Sequence, residues 1–211
     1  MGWDLNLLLS YFLTQFPAEI LSCPRNHIMP PILPRSVSAN AEKLKEFFVY
    51  YPDFPKKGIQ FWDIFALYSN PEAVCLLNLV LAGYAEVMKG EIDVVVGIEA
   101  RGFLFGPTLA NLLNCTFVPV RKKGKLPGKI RQKTYTLEYG SDTIEIQENS
   151  LKAGQRVLVV DDCIATGGTL NASCNLVEEI GAKVVDCLVI YEIPELKGSE
   201  KISYPITQLC S

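Results

Sequence analysis

The chain has 211 residues, of which 49% are hydrophobic and 20% are charged, and its net charge is −3. This length fits one domain with an appendage, and the composition is that of a globular protein. The small negative charge argues against a general nucleic-acid-binding protein. The single histidine, His27, lies in a proline-rich stretch typical of a loop, so catalytic triads and histidine-rich metal sites are not expected. Catalysis must then use carboxylates, basic residues, backbone amides and a hard metal ion.

The seven cysteines form no CxxC pair, and several lie within apolar runs. This pattern is typical of reduced, mostly buried thiols in a cytoplasmic protein and argues against a zinc finger or a disulfide scaffold.

Residues 1–40 differ from the rest because they hold five of the thirteen prolines and only four charged residues. The apolar stretch 5–16 lacks a basic flank and is too short to span a bilayer, so no membrane segment is expected. We interpret 1–40 as a poorly ordered extension, with an amphipathic docking helix as the alternative, and 41–211 as the folded domain.

Helices and strands alternate from residue 41 onward. Helices are predicted at 41–50, at 72–89 after the start signal Asn70-Pro71, at 103–114 and at 170–180. Strands are predicted at 93–98, 116–120, 156–160 and 183–190, with a hairpin formed by 135–139 and 143–147 around a turn at 140–142. The alternation predicts a mostly parallel sheet that binds ligands at the carboxyl ends of its strands.

The segment VLVVDDCIATGGT (157–169) carries the chemistry. A buried strand ends in Asp161 and Asp162, and a glycine-containing loop then runs into a helix. The backbone amides and hydroxyl groups of this loop form a predicted phosphate cradle: Ala165, Thr166, Gly167, Gly168 and Thr169. The two carboxylates should face ribose hydroxyls or a Mg²⁺ shell. The spelling is neither a P-loop nor a dinucleotide fingerprint, and an ordinary strand-to-helix turn with solvated aspartates is the alternative.

VVDDCIATGGT matches the phosphoribosyl-diphosphate (PRPP) motif of type I phosphoribosyltransferases. Five further blocks, at 51–64, 97–107, 121–129, 135–147 and 190–201, resemble the adenine phosphoribosyltransferase family. The resemblance implies a type I phosphoribosyltransferase fold, with a mostly parallel sheet, flanking helices, a small hood and a mobile β-hairpin lid. It implies the Mg²⁺-dependent reaction of adenine and PRPP to AMP and pyrophosphate in purine salvage. It also implies a cytoplasmic homodimer.

The resemblance assigns the remaining site residues. Pyrophosphate is expected on Glu99, Ala100, Arg101, Arg121, Lys122 and Lys125, with a non-proline cis peptide at Glu99-Ala100. Arg121 is expected to reach the pyrophosphate of a neighbouring subunit. Catalysis is expected from Glu138, which would exchange a proton with adenine N7, together with Tyr139 and Arg101. Adenine is expected on Gln60, Phe61 and Ile193.

The basic run 121–133 holds seven cations and no acid, and we interpret it as a polyphosphate clamp rather than a solvated or nucleic-acid-binding stretch. Two departures from the family stand out, namely Trp62 in place of an arginine and Glu99-Ala100 in place of Asp-Ser. Three alternatives stay open: a transferase for another base (hypoxanthine/guanine, xanthine or orotate), a non-catalytic PRPP-binding regulator, and a phospho-receiver domain.

Overall fold

Residues 30–136 and 141–210 are described in a computed structural model of the chain. They form a seven-stranded sheet and a separate two-stranded sheet. The strands are β1 (Val49–Pro52), β2 (Gln60–Asp63), β3 (Val94–Ile98), β4 (Thr116–Lys122), β5 (Ile130–Thr136), β6 (Ser141–Gln147), β7 (Arg156–Ile164), β8 (Lys183–Glu192) and β9 (Ile206–Gln208). The α-helices are α1 (Arg35–Leu44), α2 (Phe65–Tyr68), α3 (Pro71–Val87), α4 (Gly106–Leu112) and α5 (Gly168–Glu179).

The large sheet has the strand order β5-β6-β4-β3-β7-β8-β9. Strands β4, β3, β7, β8 and β9 run parallel to one another, while β6 is antiparallel to both β4 and β5. The predicted mostly parallel sheet is thus confirmed. The carboxyl ends of β3, β4, β7 and β8 meet at one edge, where parallel α/β sheets bind ligands.

Alternating side chains of the sheet strands pack into two apolar layers. Val95 belongs to the layer that contains buried residues of α1, α3 and α4. Its neighbours Val94 and Val96 belong to the layer covered by α5. Because both faces are covered, β3 is apolar and buried throughout, as expected for a central parallel strand.

Helix α3 begins where the sequence predicts. The side chain of Asn70 accepts hydrogen bonds from the backbone amides of Glu72 and Ala73, and Pro71 occupies the first turn. None of the described helices is long and apolar enough to cross a membrane.

The predicted helix at 41–50 is wrong at both ends. Helix α1 begins at Arg35, since Val37, Ala41 and Leu44 are buried along one face. It ends before β1, where aromatic and β-branched residues pair with β2 instead. The boundary predicted between residues 40 and 41 therefore falls inside a helix.

Several other predicted elements have shifted ends. The predicted helix at 103–114 is shorter, because a 3₁₀ turn at Arg101–Leu104 precedes α4. Strand β7 extends past the predicted 156–160, because Asp161 and Cys163 still pair with β8. The predicted hairpin is formed by β5 and β6, which pair up to Thr136 and Ser141. Residues 141–142, predicted as turn, belong to β6.

Candidate active site

The carboxyl ends of β3, β4 and β7, together with the β5–β6 hairpin, enclose a cavity of about 280 Å³. Residues from four separate chain segments line it, including six of those predicted for sugar or pyrophosphate: Glu99, Arg101, Arg121, Lys122, Asp161 and Thr169. The structure thus brings residues of opposite charge and different predicted roles into one space.

The two adjacent aspartates have different environments. Asp161 lines the cavity, whereas Asp162 is 1% exposed and lies with Oδ2 at 2.9 Å from Nε of Arg101. This contact is an ion pair, and neither carboxylate oxygen of Asp162 has a hydrogen-bond partner among the described residues. Only Asp161 is placed to meet a ligand directly.

Burial raises the pKa of both carboxyl groups. The charge of Asp162 raises the pKa of Asp161 further, to well above its ordinary value, while the Arg101 guanidinium opposes the rise at Asp162. Burial alone would lower the pKa of Arg101, but the Asp162 carboxylate raises it. Arg101 is therefore a fixed positive charge whose partner is Asp162.

The loop after β7 is the segment predicted as a phosphate cradle. Gly167 precedes α5 with φ 81°, a left-handed conformation that favours glycine. A methyl group on Gly198 would contact the carbonyl oxygen of Ala165, so the segment after β8 that contains Gly198 packs tightly against this loop. Gly168 and Thr169 open α5, which has no side-chain cap, and its first amides suit an anion. Thr166 lies in the same loop and is partly exposed.

Tyr135 covers the cradle from the hairpin. Thr169 Oγ1 donates a hydrogen bond to the Tyr135 hydroxyl at 3.0 Å, and that hydroxyl lies 3.5 Å from Asp142 Oδ2. Sequence reasoning did not single out Tyr135 or Asp142. Both lie on strands whose side chains alternate, and the alternation alone does not say which face meets a ligand.

The peptide bond between Glu99 and Ala100 is cis, as the resemblance predicts. It follows β3 directly and leads into the turn that bears Arg101. A methyl group on Gly102 would lie 2.5 Å from the carbonyl oxygen of Val160, so this turn packs closely on the end of β7. The close packing holds the turn against the strand that carries the aspartates.

Arg121 is held within its own chain. Its Nε and Nη2 donate to the two oxygens of Glu99 at 3.1 and 3.3 Å, and its Nη1 donates to the Lys125 carbonyl oxygen at 3.2 Å. The backbone amide of Lys122 also donates to Glu99. Burial would raise the pKa of Glu99, but these donors lower it, so Glu99 is a carboxylate that neutralises Arg121.

A buried carboxylate shapes the basic loop after β4. Glu145 is 0% exposed and accepts hydrogen bonds from the backbone amides of Gly124, Lys125 and Leu126, at 3.0, 2.7 and 2.7 Å. The side-chain amide of Gln132 donates to it as well. Burial acts to raise its pKa, yet these donors hold the pKa below its ordinary value. Sequence reasoning missed Glu145, whose one signal is a charged residue between Ile144 and Ile146 in a buried strand.

The hairpin β1–β2, which we call the hood, carries Gln60 and Phe61, two of the three residues predicted to bind adenine. The guanidinium carbon of Arg101 lies 5.6 Å from the ring centre of Phe61. Gln60 is exposed on the same strand. Ile193 is 3% exposed, and its amide donates to the carbonyl oxygen of Ile164 at the end of β7. Gln60 and Phe61 thus lie on the hood, and Ile193 lies beside the end of the strand that bears the aspartates.

Trp62 does not share the environment of Phe61. Its ring stacks on Tyr191, with centroids 5.0 Å apart and planes 9° from parallel, and it contacts Phe48 and Tyr50. The residue that replaces the family's arginine is therefore part of an aromatic cluster.

The predicted lid residues Glu138 and Tyr139 lie outside the described residues.

Residues 66–208 match the sequence family described as the phosphoribosyl transferase domain. The fold and the site are thus those of a phosphoribosyltransferase. The adenine phosphoribosyltransferase of Caenorhabditis elegans is 47% identical over 160 residues, which cover 76% of this chain and 86% of that protein. The Saccharomyces cerevisiae enzyme, solved with adenine and an imino-altritol bisphosphate, matches with a TM-score of 0.76 at 43% identity, covering 82% of this chain and 99% of its own.

The Trypanosoma brucei enzyme, solved in complex with AMP, pyrophosphate and ribose-5-phosphate, matches with a TM-score of 0.71 at 28% identity over 82% of this chain and 81% of that chain. This chain therefore belongs to the adenine phosphoribosyltransferase family.

Proposed function

We propose that this chain transfers the 5-phosphoribosyl group of PRPP to adenine, forming AMP and releasing pyrophosphate. The observation that carries the proposal is the cavity, where a carboxylate, a helix N-terminus and arginine side chains from separate segments meet in a member of this family. Solved relatives in complex with adenine, AMP, pyrophosphate and ribose-5-phosphate support these substrates and products.

The sugar side of the reaction falls to the end of β7. Breaking the bond at C1′ leaves positive charge on the ribose, which a nearby carboxylate stabilises more in the transition state than in the ground state; that positive charge in turn favours the ionised form of the carboxylate. Asp161 lines the cavity and is the group for this task, while the amides from Ala165 to Thr169 hold the 5′-phosphate. Asp162 keeps Arg101 in place rather than contacting the sugar.

The leaving pyrophosphate falls to the cis-peptide turn and the basic loop. Arg101 and Lys122 face the cavity, and Arg121 faces it while bound to Glu99. Pyrophosphate offers Arg121 a stronger anionic partner than one carboxylate, so we propose that Arg121 exchanges Glu99 for it. Lys125 contributes positive charge at the rim. The chain is proposed to form a homodimer, in which Arg121 reaches the pyrophosphate of the neighbouring copy.

The base is proposed to stack on Phe61, to meet the backbone of Gln60, and to be covered by Ile193. Glu138 is proposed to exchange a proton with adenine N7, and Tyr139 to close the site with it. Closure excludes water and so suppresses hydrolysis of PRPP.

Mg²⁺ is proposed to enter with PRPP. The described residues contain no group of three or more His, Cys, Asp or Glu side chains that could hold a metal ion. Asp161 lines the cavity and is the carboxylate that would face the ion. Diphosphate oxygens and water would supply the other ligands. Mg²⁺ would neutralise charge on the pyrophosphate as it leaves.

We also propose that the reaction serves purine salvage in the cytoplasm. The six cysteines that the structure describes are all free thiols, as expected in a reducing compartment.

The proposal is tested by measuring Mg²⁺-dependent AMP formation from PRPP, with adenine, hypoxanthine, guanine, xanthine and orotate in parallel. We expect turnover of adenine, and a loss of about 10²- to 10⁴-fold for Glu138→Gln, which removes the proton donor. Glu148→Gln, a partly exposed position in the turn after β6, serves as the matched control and should retain activity.

Turnover of another base alone would keep the chemistry and overturn the base assignment. PRPP binding without turnover of any base would identify a regulator instead of an enzyme.

A further inference from the structure

Tyr191 contacts both the side chain and the backbone of Trp62. Its ring stacks on the indole, with centroids 5.0 Å apart, and its hydroxyl donates a hydrogen bond to the Trp62 carbonyl oxygen at 2.9 Å. Tyr191 is itself 0% exposed, so its ring is held by the core. The contact therefore fixes β2 in position along the strand as well as perpendicular to it.

This contact matters because the hood is a sheet of its own. Strands β1 and β2 pair with each other and not with the seven-stranded sheet. The placement of β2 over the site thus depends on side-chain packing, and the Tyr191 hydroxyl adds a directional bond to that packing. Phe48 completes the cluster, with its ring centre 5.3 Å from Trp62 and 6.0 Å from Tyr191.

Tyr191 also belongs to the ribose-phosphate side of the site. It lies near the carboxyl end of β8, directly paired with Cys163, which follows Asp162 on β7. Phe61, the proposed base platform, precedes Trp62 on β2. The side chain of Tyr191 therefore joins β8, the strand next to Asp161 and Asp162, to the strand that would carry the base.

We propose that Tyr191 is a positioning residue that sets where the base lies relative to ribose C1′, and with it the affinity for the base. This inference rests on the proposed function, because adenine is the base that the proposed function assigns to the site. Transfer between two bound reactants is sensitive to their mutual placement, and a displacement of about 1 Å can reduce the rate about 10²-fold. A tyrosine that holds the base-binding strand then acts on the base without touching it.

The test compares Tyr191→Phe, which keeps the ring and removes the hydrogen bond, with Tyr191→Leu, which also removes the stack. Tyr204→Phe is the matched control, because the Tyr204 hydroxyl is also hydrogen bonded, to Asn175 and Glu178, but lies outside the cavity. We expect Tyr191→Phe to raise the KM for adenine about fivefold, the value of one hydrogen bond, and Tyr191→Leu to raise it further. The KM for PRPP should stay within about twofold.

Adenine binding is also measured directly by equilibrium dialysis, with ribose 5-phosphate and Mg²⁺ as non-reacting companions. Weaker adenine binding in Tyr191→Phe, with ribose 5-phosphate binding unchanged, supports the inference even if the wild-type chain forms no AMP. Equal losses for both ligands would show a merely structural role, and unchanged adenine binding would also overturn the inference. Failure of the proposed function would appear separately, as a lack of AMP formation by the wild-type chain.

Discussion

Asp186 is a carboxyl group buried in the middle of β8, and we expect its replacement by asparagine to change how stability depends on pH. Its Oδ2 accepts hydrogen bonds from the hydroxyls of Tyr84 and Thr207, at 2.8 and 2.6 Å. Its Oδ1 has no hydrogen-bond donor among the residues that the structure describes. Burial raises the pKa of Asp186 from 3.8 to about 6, in spite of the two hydroxyl donors.

The sign of the effect follows from proton uptake. Between pH 3.8 and about 6 the folded state keeps a proton that the unfolded state has lost, so the free energy of unfolding falls as pH rises. The contribution is fully present below the unfolded pKa and is lost above the folded one. The whole loss is about 3 kcal/mol, and about 2 kcal/mol of it falls between about pH 4.5 and pH 7.5.

Urea unfolding of the wild type and of Asp186→Asn across this pH range measures the difference. The asparagine side chain adds a change in the free energy of unfolding that does not depend on pH. On top of that constant, we expect the difference in unfolding free energy, Asp186→Asn minus wild type, to increase by about 2 kcal/mol as pH rises. Asp93→Asn is the control with the opposite sign, because Arg156 lowers the pKa of Asp93. Parallel pH curves for the wild type and Asp186→Asn would refute the reasoning.

Two further predictions concern the site. Glu145→Gln replaces one acceptor oxygen by a donor that faces the loop amides; we expect the KM for PRPP to rise about tenfold or more while adenine binding by the free enzyme changes little, and steady-state kinetics measure this. An unchanged KM for PRPP would show that the basic loop keeps its shape without Glu145. Gly198→Ala adds a methyl group against Ala165, so we expect about 1–3 kcal/mol of destabilisation in thermal unfolding and a raised KM for PRPP. Ala153→Gly, a change at an exposed position, is the control and should alter neither quantity as strongly.

The sequence allowed much of the site to be predicted, because its chemistry is concentrated in short stretches. The strand, the acid pair and the cradle at 157–169 are contiguous, so their spelling alone indicated a phosphate and a sugar. The different environments of Asp161 and Asp162 could not be predicted, since they depend on Arg101, which lies in the turn after β3.

The missed residues act across long separations in the chain. The bond from Tyr191 to Trp62 spans 129 positions, and a spacing of that size leaves no periodic trace. Helix α1 was misplaced for a related reason, because the packing of Val37 against Gly83 on α3 decides where the helix begins. Local pattern thus predicted elements and motifs, and tertiary packing decided their ends.

The placement of Glu145 separates the shape of the basic loop from its charge. The carboxylate holds backbone amides and does not contact the lysine side chains, so Lys122, Lys123 and Lys125 can be exchanged without altering the main-chain path. A combinatorial library at these three positions would then vary the electrostatic potential over a constant scaffold. Substitutions in this loop can therefore change its affinity for polyanions one positive charge at a time.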